Sequence, residues 1–75
     1  MVSIKTFGYL THYVENKNIG LFDAADGTTI KELLRILNIP ESAVGFISVN
    51  GDMVSKDYQI AHGDQIKIFP VVMGG

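Results

Sequence analysis

The sequence contains no cysteine. That absence excludes disulfides, thiolate metal sites, iron–sulfur ligation and a thiol nucleophile. The hydrophobic core must therefore stabilise the fold without disulfide bonds. In a chain of 75 residues such a core supplies only a small free energy of unfolding. The same length allows one small domain, so we expect no second lobe that would close over a deep substrate cleft.

Strong charge of one sign and long apolar runs are also missing. Six basic and eight acidic side chains give a formal net charge of -2, and the basic ones never cluster, which argues against a nucleic-acid partner. No apolar stretch approaches the roughly 18 residues that a membrane span needs. The first residues lack a basic segment followed by an apolar run, so we expect no secretory signal and a cytoplasmic location away from membranes.

The most regular segment, residues 29–38, predicts one main helix. Thr29 and Glu32 have the spacing of a capping box, in which each side chain accepts a hydrogen bond from the other residue's backbone. Apolar residues recur at i, i+3, i+4 and i+7 and form one stripe: Ile30, Leu33, Leu34 and Leu37. Pro40 is expected to end the helix.

Short segments rich in β-forming residues surround this helix: residues 2–7, 19–22, 45–49, 52–54 and 65–69. Asn50-Gly51 is the dipeptide best suited to a type I′ hairpin turn, and Pro70 stops the last segment from becoming a long central strand. The order predicts an α+β domain, with a sheet of four or five strands packed on one helix. The other face of that sheet must meet water or a partner.

No residue pattern supports catalysis by this chain. His12 and His62 are isolated, and no group of His, Asp and Glu has metal-ligand spacing. No serine has a nucleophile-elbow context, and no glycine-rich phosphate loop is present. We interpret His62 as a solvated turn residue and Asp64 as bonding within its own turn. We therefore expect no metal site, no bound cofactor and no enzymatic activity of its own.

The sequence ends in Gly74-Gly75. Glycine has no Cβ, so this segment fits a channel too narrow for any other residue. The α-carboxylate beyond it is inert until an ATP-using partner converts it to an acyl-adenylate. A sulfur donor would then displace AMP and leave a thiocarboxylate, whereas an amine would leave an amide. The alternative is a frayed end without function.

Four segments spread over nearly the whole chain carry a recognisable combination: residues 27–34, 49–54, 62–66 and 68–75. The most specific parts are the Gly63-Asp64 turn, the strand that runs into Phe69-Pro70, and the terminal glycines. Together they resemble the ubiquitin-like sulfur carriers of the ThiS and MoaD group. The resemblance implies a β-grasp fold for residues 1–70 and a flexible C-terminal tail for residues 71–75.

It also implies a partner of the ThiF or MoeB kind, which uses ATP to adenylate the Gly75 carboxylate before a sulfur donor forms the thiocarboxylate. Val72, Met73 and Gly74 would thread into the partner's active site. The acceptor would be the large subunit of molybdopterin synthase or a thiazole synthase. Phe69-Pro70 resembles MoaD, the small subunit of such a synthase, but Val71 stands where many MoaD tails have a second proline. The molybdopterin, thiamin thiazole and other sulfur-incorporating routes therefore stay open.

Strand alternation predicts a docking surface. If the aliphatic positions of the strands face the helix, Phe7, Phe46 and Phe69 project from the opposite face of the sheet. In a β-grasp sheet the first, last and middle strands are adjacent, so the three rings would form one exposed patch. Such patches on monomers usually bind a partner. The alternative is that one or two of these rings lie under the loop at residues 9–18 as a satellite core.

Three functions remain compatible with the sequence. The first is a sulfur carrier, and the second is a protein modifier that joins lysines through Gly75. The third is a β-grasp interaction module whose tail is irrelevant. Deletion of Gly75 separates the third from the other two, and lysine-linked adducts separate the second from the first.

Overall fold

The computed structural model describes residues 1–13 and 20–71. The five strands within them are β1 (Val2–Thr6), β2 (Gly20–Phe22), β3 (Val44–Val49), β4 (Asp52–Val54) and β5 (Gln65–Pro70). The helix α1 spans Ile30–Ile36, and short 3-10 helices span Gly8–Tyr13 and Glu41–Ala43. Ile19, which we expected to begin the second strand, lies outside the described residues.

The strands form one mixed sheet in the order β2-β1-β5-β3-β4. The first and last strands pair in parallel, and the remaining neighbours are antiparallel. This order, with one helix across one face, is the ubiquitin-like β-grasp fold, which confirms the expected fold class. The first, last and middle strands lie side by side, as the docking hypothesis requires.

The core lies between α1 and the sheet. Its buried apolar residues are Val2, Ile4, Leu10, Ile30, Leu33, Leu34, Ile39, Val44, Ile47, Val49, Ile60, Ile66 and Ile68. Each fully buried side chain of this size contributes roughly 1.5–3 kcal/mol by leaving water. Burial of this cluster of aliphatic residues therefore stabilises the fold in the absence of disulfide bonds.

The start of α1 follows from its capping box. Thr29 Oγ1 accepts a hydrogen bond from the Glu32 backbone N–H at 3.2 Å, and Glu32 Oε1 accepts one from the Thr29 backbone N–H at 3.1 Å. The bond from the Thr29 backbone is the main reason why the pKa of Glu32 lies below its ordinary value. The predicted helix start is thus confirmed.

The helix ends earlier than the sequence pattern predicted, and Pro40 is not the residue that ends it. Asn38 adopts a left-handed conformation with φ 60, and its N–H bonds the Arg35 carbonyl at 3.1 Å. The Ile39 N–H bonds the Leu34 carbonyl at 2.9 Å. This is the hydrogen-bond pattern of a Schellman motif, which satisfies the last carbonyls of a helix.

A partly buried hydrogen-bond network links the β3–β4 turn to the start of β5. Asn50 and Gly51 have φ values of 53 and 91, as the predicted type I′ turn requires. Asn50 Nδ2 donates to Asp64 Oδ1 at 2.9 Å, and Asn50 Oδ1 accepts from the Gln65 N–H at 2.9 Å. Two of the segments that carry the family resemblance therefore meet here and hold the sheet together.

Asp64 is the centre of this network and is only 7% exposed. Its Oδ2 accepts from the Ala61 N–H at 2.8 Å, which confirms the bond within its own turn, and from the Tyr58 hydroxyl at 3.2 Å. Burial by itself would raise the pKa of Asp64, but the bonds from Ala61, Asn50 and Tyr58 outweigh it and lower the pKa. Burial raises the pKa of Tyr58, and the charge of Asp64 and the hydrogen bond to it raise this pKa further.

The substitution Asp64→Asn is expected to lower the free energy of unfolding by about 2 kcal/mol at neutral pH, because it removes an ionised acceptor of three hydrogen bonds. The folded-state pKa lies below the ordinary value of 3.8. The stability that Asp64 contributes is therefore present above that pH and is lost as pH falls through the folded-state pKa. Urea unfolding across the acid range measures both effects.

The matched control for this prediction is Asp57→Asn, which changes an exposed carboxylate of the same loop region. We expect this control to leave the unfolding free energy nearly unchanged at neutral pH. A loss of unfolding free energy of equal size in the two variants would contradict the role assigned to Asp64. So would a fall of the unfolding free energy at acid pH that is as steep in Asp64→Asn as in the parent.

Candidate functional site

The three phenylalanines predicted for docking form one stack on the sheet face opposite α1. Phe69 of β5 lies in the middle, with its ring centroid 4.6 Å from that of Phe7 and 4.3 Å from that of Phe46. The rings are nearly parallel, with interplanar angles of 4° and 10°. We call Phe7, Phe69 and Phe46 the aromatic stack.

The pairing of the strands brings these rings together. Phe46 and Phe69 are direct partners in the antiparallel β3–β5 ladder. Phe7 follows β1 immediately and its N–H bonds the Ile68 carbonyl at 3.1 Å. Three residues distant in the sequence thus meet because three central strands carry them to the same end of the sheet.

The aromatic stack remains accessible. Phe46 is 41% exposed, and Phe7 and Phe69 are half-buried. In the described part of the following loop, the 3-10 helix Gly8–Tyr13 buries Leu10 in the main core. Residues 14–18 of that loop lie outside the described residues, so both the docking role of the three rings and the alternative of a satellite core stay predictions.

The end of β5 lies directly against a bulge in β3. The β3–β5 register shifts between Val44 and Phe46, so Gly45 is the extra residue. A Cβ on Gly45 would lie 2.5 Å from the Pro70 carbonyl oxygen, closer than real side chains approach. Glycine at position 45 therefore lets the backbone at Pro70 pack against the sheet beside the aromatic stack.

Val71 is held at both of its backbone polar groups. Its N–H donates to the Ala43 carbonyl at 3.0 Å, and its carbonyl accepts from the Tyr9 hydroxyl at 3.1 Å. The same hydroxyl lies 3.4 Å from the Ala43 oxygen. Tyr9 and Ala43 thus form a clamp, which we call the Val71 clamp, that fixes the backbone of the last described residue.

Four of the five residues predicted for the tail, Val72, Met73, Gly74 and Gly75, lie outside the described residues. The fifth, Val71, is held by the clamp, and the division of the chain at residue 70 stays a prediction. The sequence patterns did not indicate Tyr9 or Gly45 as part of the site. For Gly45 a signal existed, since an isolated glycine inside a strand pattern often marks a bulge. For Tyr9 there was none, because its partner Val71 is 62 positions away in the sequence.

The substitution Tyr9→Phe removes only the hydroxyl of the Val71 clamp. We expect a local loss of about 1 kcal/mol, seen as roughly fivefold faster hydrogen exchange at the Val71 amide with little change in global stability. Tyr13→Phe, another exposed tyrosine of the same 3-10 helix, is the control and should leave that exchange rate unchanged. Equal exchange at Val71 in Tyr9→Phe and the parent would show that the hydroxyl does not hold this residue.

The described site consists of an accessible aromatic surface and a Val71 whose backbone is fixed. Among residues 1–13 and 20–71, no three His, Asp, Glu or Cys side chains are grouped to hold a metal ion. No helix in this part of the chain is long and apolar enough to cross a membrane. The role of this surface in docking, and of residues 72–75 in a partner's active site, stays a prediction.

Fold and site together define a ubiquitin-like domain in which the Val71 backbone is held close to an aromatic surface. The family model described as "ThiS family" matches residues 7–75, and the chain therefore belongs to the ThiS family. Its fold is similar to the crystal structure of SAMP1 from Haloferax volcanii, with a TM-score of 0.71 and 19% sequence identity over 99% of this chain and 98% of that chain. A comparison with curated proteins gives no match.

Proposed function

We propose that this protein is a sulfur carrier, which is activated at the Gly75 carboxylate and donates sulfur from a C-terminal thiocarboxylate. Membership of the ThiS family supports this role. The structural observation that carries the proposal is the Val71 clamp beside the aromatic stack. It gives the tail a defined origin next to the surface that we predict to contact the partner.

Because the tail is short, the reactive site of the partner must lie close to the Val71 clamp. Residues 72–75 follow the clamped Val71, and even fully extended they reach at most about 14 Å. A partner that activates Gly75 must therefore place its reactive site within that distance of the clamp. Its surface must then contact the domain around the clamp, where the aromatic stack lies.

The chemistry belongs to the partners. An adenylating enzyme of the ThiF or MoeB kind binds ATP and directs the Gly75 carboxylate oxygen to the α-phosphorus, and pyrophosphate leaves. A sulfur donor then supplies a nucleophilic sulfur to the acyl carbon, and AMP leaves. The chain itself binds no cofactor in this scheme and acts as a cosubstrate. We propose that the protein acts in the cytoplasm, where ATP is available to the adenylating enzyme.

As acceptor we propose an enzyme that builds sulfur into a cofactor. The candidates are the large subunit of molybdopterin synthase and a thiazole synthase. Phe69-Pro70 at the end of β5 resembles the MoaD type and favours the first. In that case the chain would be the small subunit of a heteromeric synthase.

The test is the intact mass of the protein after incubation with ATP, an adenylating enzyme of this kind and a sulfur source. We expect a gain equal to the exchange of one oxygen for sulfur. Lysine-linked adducts in cell extract without a thiocarboxylate would instead indicate a modifier, because an amine would then have attacked the same adenylate. Neither product, with several adenylating enzymes tried on folded protein, would favour a plain interaction module.

A further inference from the structure

Two lysines lie side by side on the sheet face that carries the aromatic stack. Lys5 of β1 and Lys67 of β5 are direct partners in the parallel β1–β5 ladder, and both are exposed. The residues before and after each lysine point the other way: Ile4, Thr6, Ile66 and Ile68 are all buried. Both ammonium groups therefore project from the face opposite α1.

The described strand positions of this face carry positive charge, although the formal net charge of the chain is -2. Its outward strand positions are occupied by Leu21, Ser3, Lys5, Gln65, Lys67, Phe69, Phe46, Ser48 and Met53. Asp52 is the one acidic residue within the described strands. It pairs with the buried Val49 and therefore lies on the side of the sheet that faces α1. The described strand positions of this face thus contain two cations and no anion.

Neither lysine is explained by the needs of the fold. Lysines often protect the edge strands of a sheet from pairing with other chains, but β1 and β5 are inner strands of this one. Like charges on paired positions destabilise a sheet. Among the described residues one ion pair has a nitrogen–oxygen distance within 4.0 Å, and it joins Lys56 to Glu41. No described carboxylate therefore lies within that distance of the Lys5 or Lys67 ammonium group.

The pair is also continuous with the aromatic stack. Lys5 Nζ lies 5.3 Å from the centroid of the Phe7 ring, a cation–π distance that holds the ammonium at the rim of the stack. Lys67 is two residues before Phe69 on the same face of β5. An apolar centre with charge at its rim is the usual composition of a protein–protein interface.

We propose that Lys5 and Lys67 select a partner protein whose docking surface carries carboxylates beside an apolar pocket for the aromatic stack. This inference rests on the proposed function, in which that partner is the adenylating enzyme. Rim charges act mainly on the rate of association and on the choice of partner. The lysine pair therefore steers the domain onto the acidic surface before residues 72–75 reach the active site.

The test compares the variant Lys5→Glu/Lys67→Glu with the parent in binding to an adenylating enzyme of the ThiF or MoeB kind from the same organism, and in its ATP–pyrophosphate exchange. We expect a rise of about tenfold or more in Kd and KM at low salt, with kcat at saturation unchanged. At 1 M salt, where the screening length falls to about 3 Å, most of the difference should disappear.

The matched control is Lys31→Glu/Arg35→Glu, which changes the net charge equally but on α1, on the other side of the sheet. It should bind as the parent does at every salt concentration, and thermal unfolding checks that both variants are folded. Suppose that the parent is activated. If the two double variants then weaken binding equally, or if neither weakens it, the lysine inference is overturned and the carrier function stands. If the parent neither binds nor is activated, the proposed function fails and the inference fails with it.

Discussion

Deletion of Gly75 is expected to abolish thiocarboxylate formation while leaving the fold unchanged. The deletion moves the terminal carboxylate back by one residue, about 3.4 Å along an extended chain. Reacting atoms must approach to roughly 3–3.5 Å, and misplacement by even about 1 Å lowers rates about a hundredfold. With the clamp fixed at Val71, the shortened tail cannot make up the difference.

The deletion should be measured by intact mass and by thermal unfolding in parallel. The described core and hydrogen bonds involve residues up to Val71, so we expect an unchanged midpoint of unfolding. The deleted chain keeps the aromatic stack and should therefore compete with the parent for the adenylating enzyme. A deleted chain that is still converted to a thiocarboxylate would contradict the assignment of Gly75.

The substitution Phe46→Asp is expected to raise the KM for the adenylating enzyme by about 30-fold or more, because buried aromatic residues at interfaces typically contribute 2 kcal/mol or more. Phe46 is the most exposed ring of the stack, at 41%. Its replacement removes apolar contact area and places a negative charge on the surface that we propose to meet carboxylates. The kinetics of ATP–pyrophosphate exchange at varied carrier concentration measure this effect.

Ile36→Asp is the matched control for this variant. Ile36 is a 57% exposed apolar residue on α1, on the side of the sheet opposite the aromatic stack. We expect it to leave the KM nearly unchanged. A folded Phe46→Asp protein with the KM of the parent would show that the stack does not dock the enzyme. A large drop in unfolding temperature would instead indicate that Phe46 serves stability.

The features that could be predicted correctly from the sequence depend on short-range patterns. The Thr29–Glu32 capping box and the Asn50-Gly51 turn each lie within four consecutive residues, and the structure contains both. The faces of Phe46 and Phe69 follow from strand alternation alone. That the two rings meet Phe7 required the strand order, which the family resemblance supplied.

The features that the sequence did not indicate depend on contacts between distant parts of the chain. The left-handed Asn38 after the helix is an exception, because asparagine is enriched in that conformation and is a local signal for a helix end. Asp64 was expected to act within its own turn, yet it also bonds Asn50, which is 14 positions away. The Val71 clamp joins both ends of the described chain, and nothing local in the sequence indicates such a bond.

The parallel pairing of β1 with β5 has a consequence for synthesis of the protein. The ribosome makes β1 first, but this strand lacks its inner neighbour until β5 has left the exit tunnel. Pairing of such distant segments is a slow, late event in folding. Phe69, the middle ring of the stack, also arrives with β5. A chain truncated by early termination would therefore lack the completed aromatic stack, which under the proposed function is the surface that the activating enzyme binds.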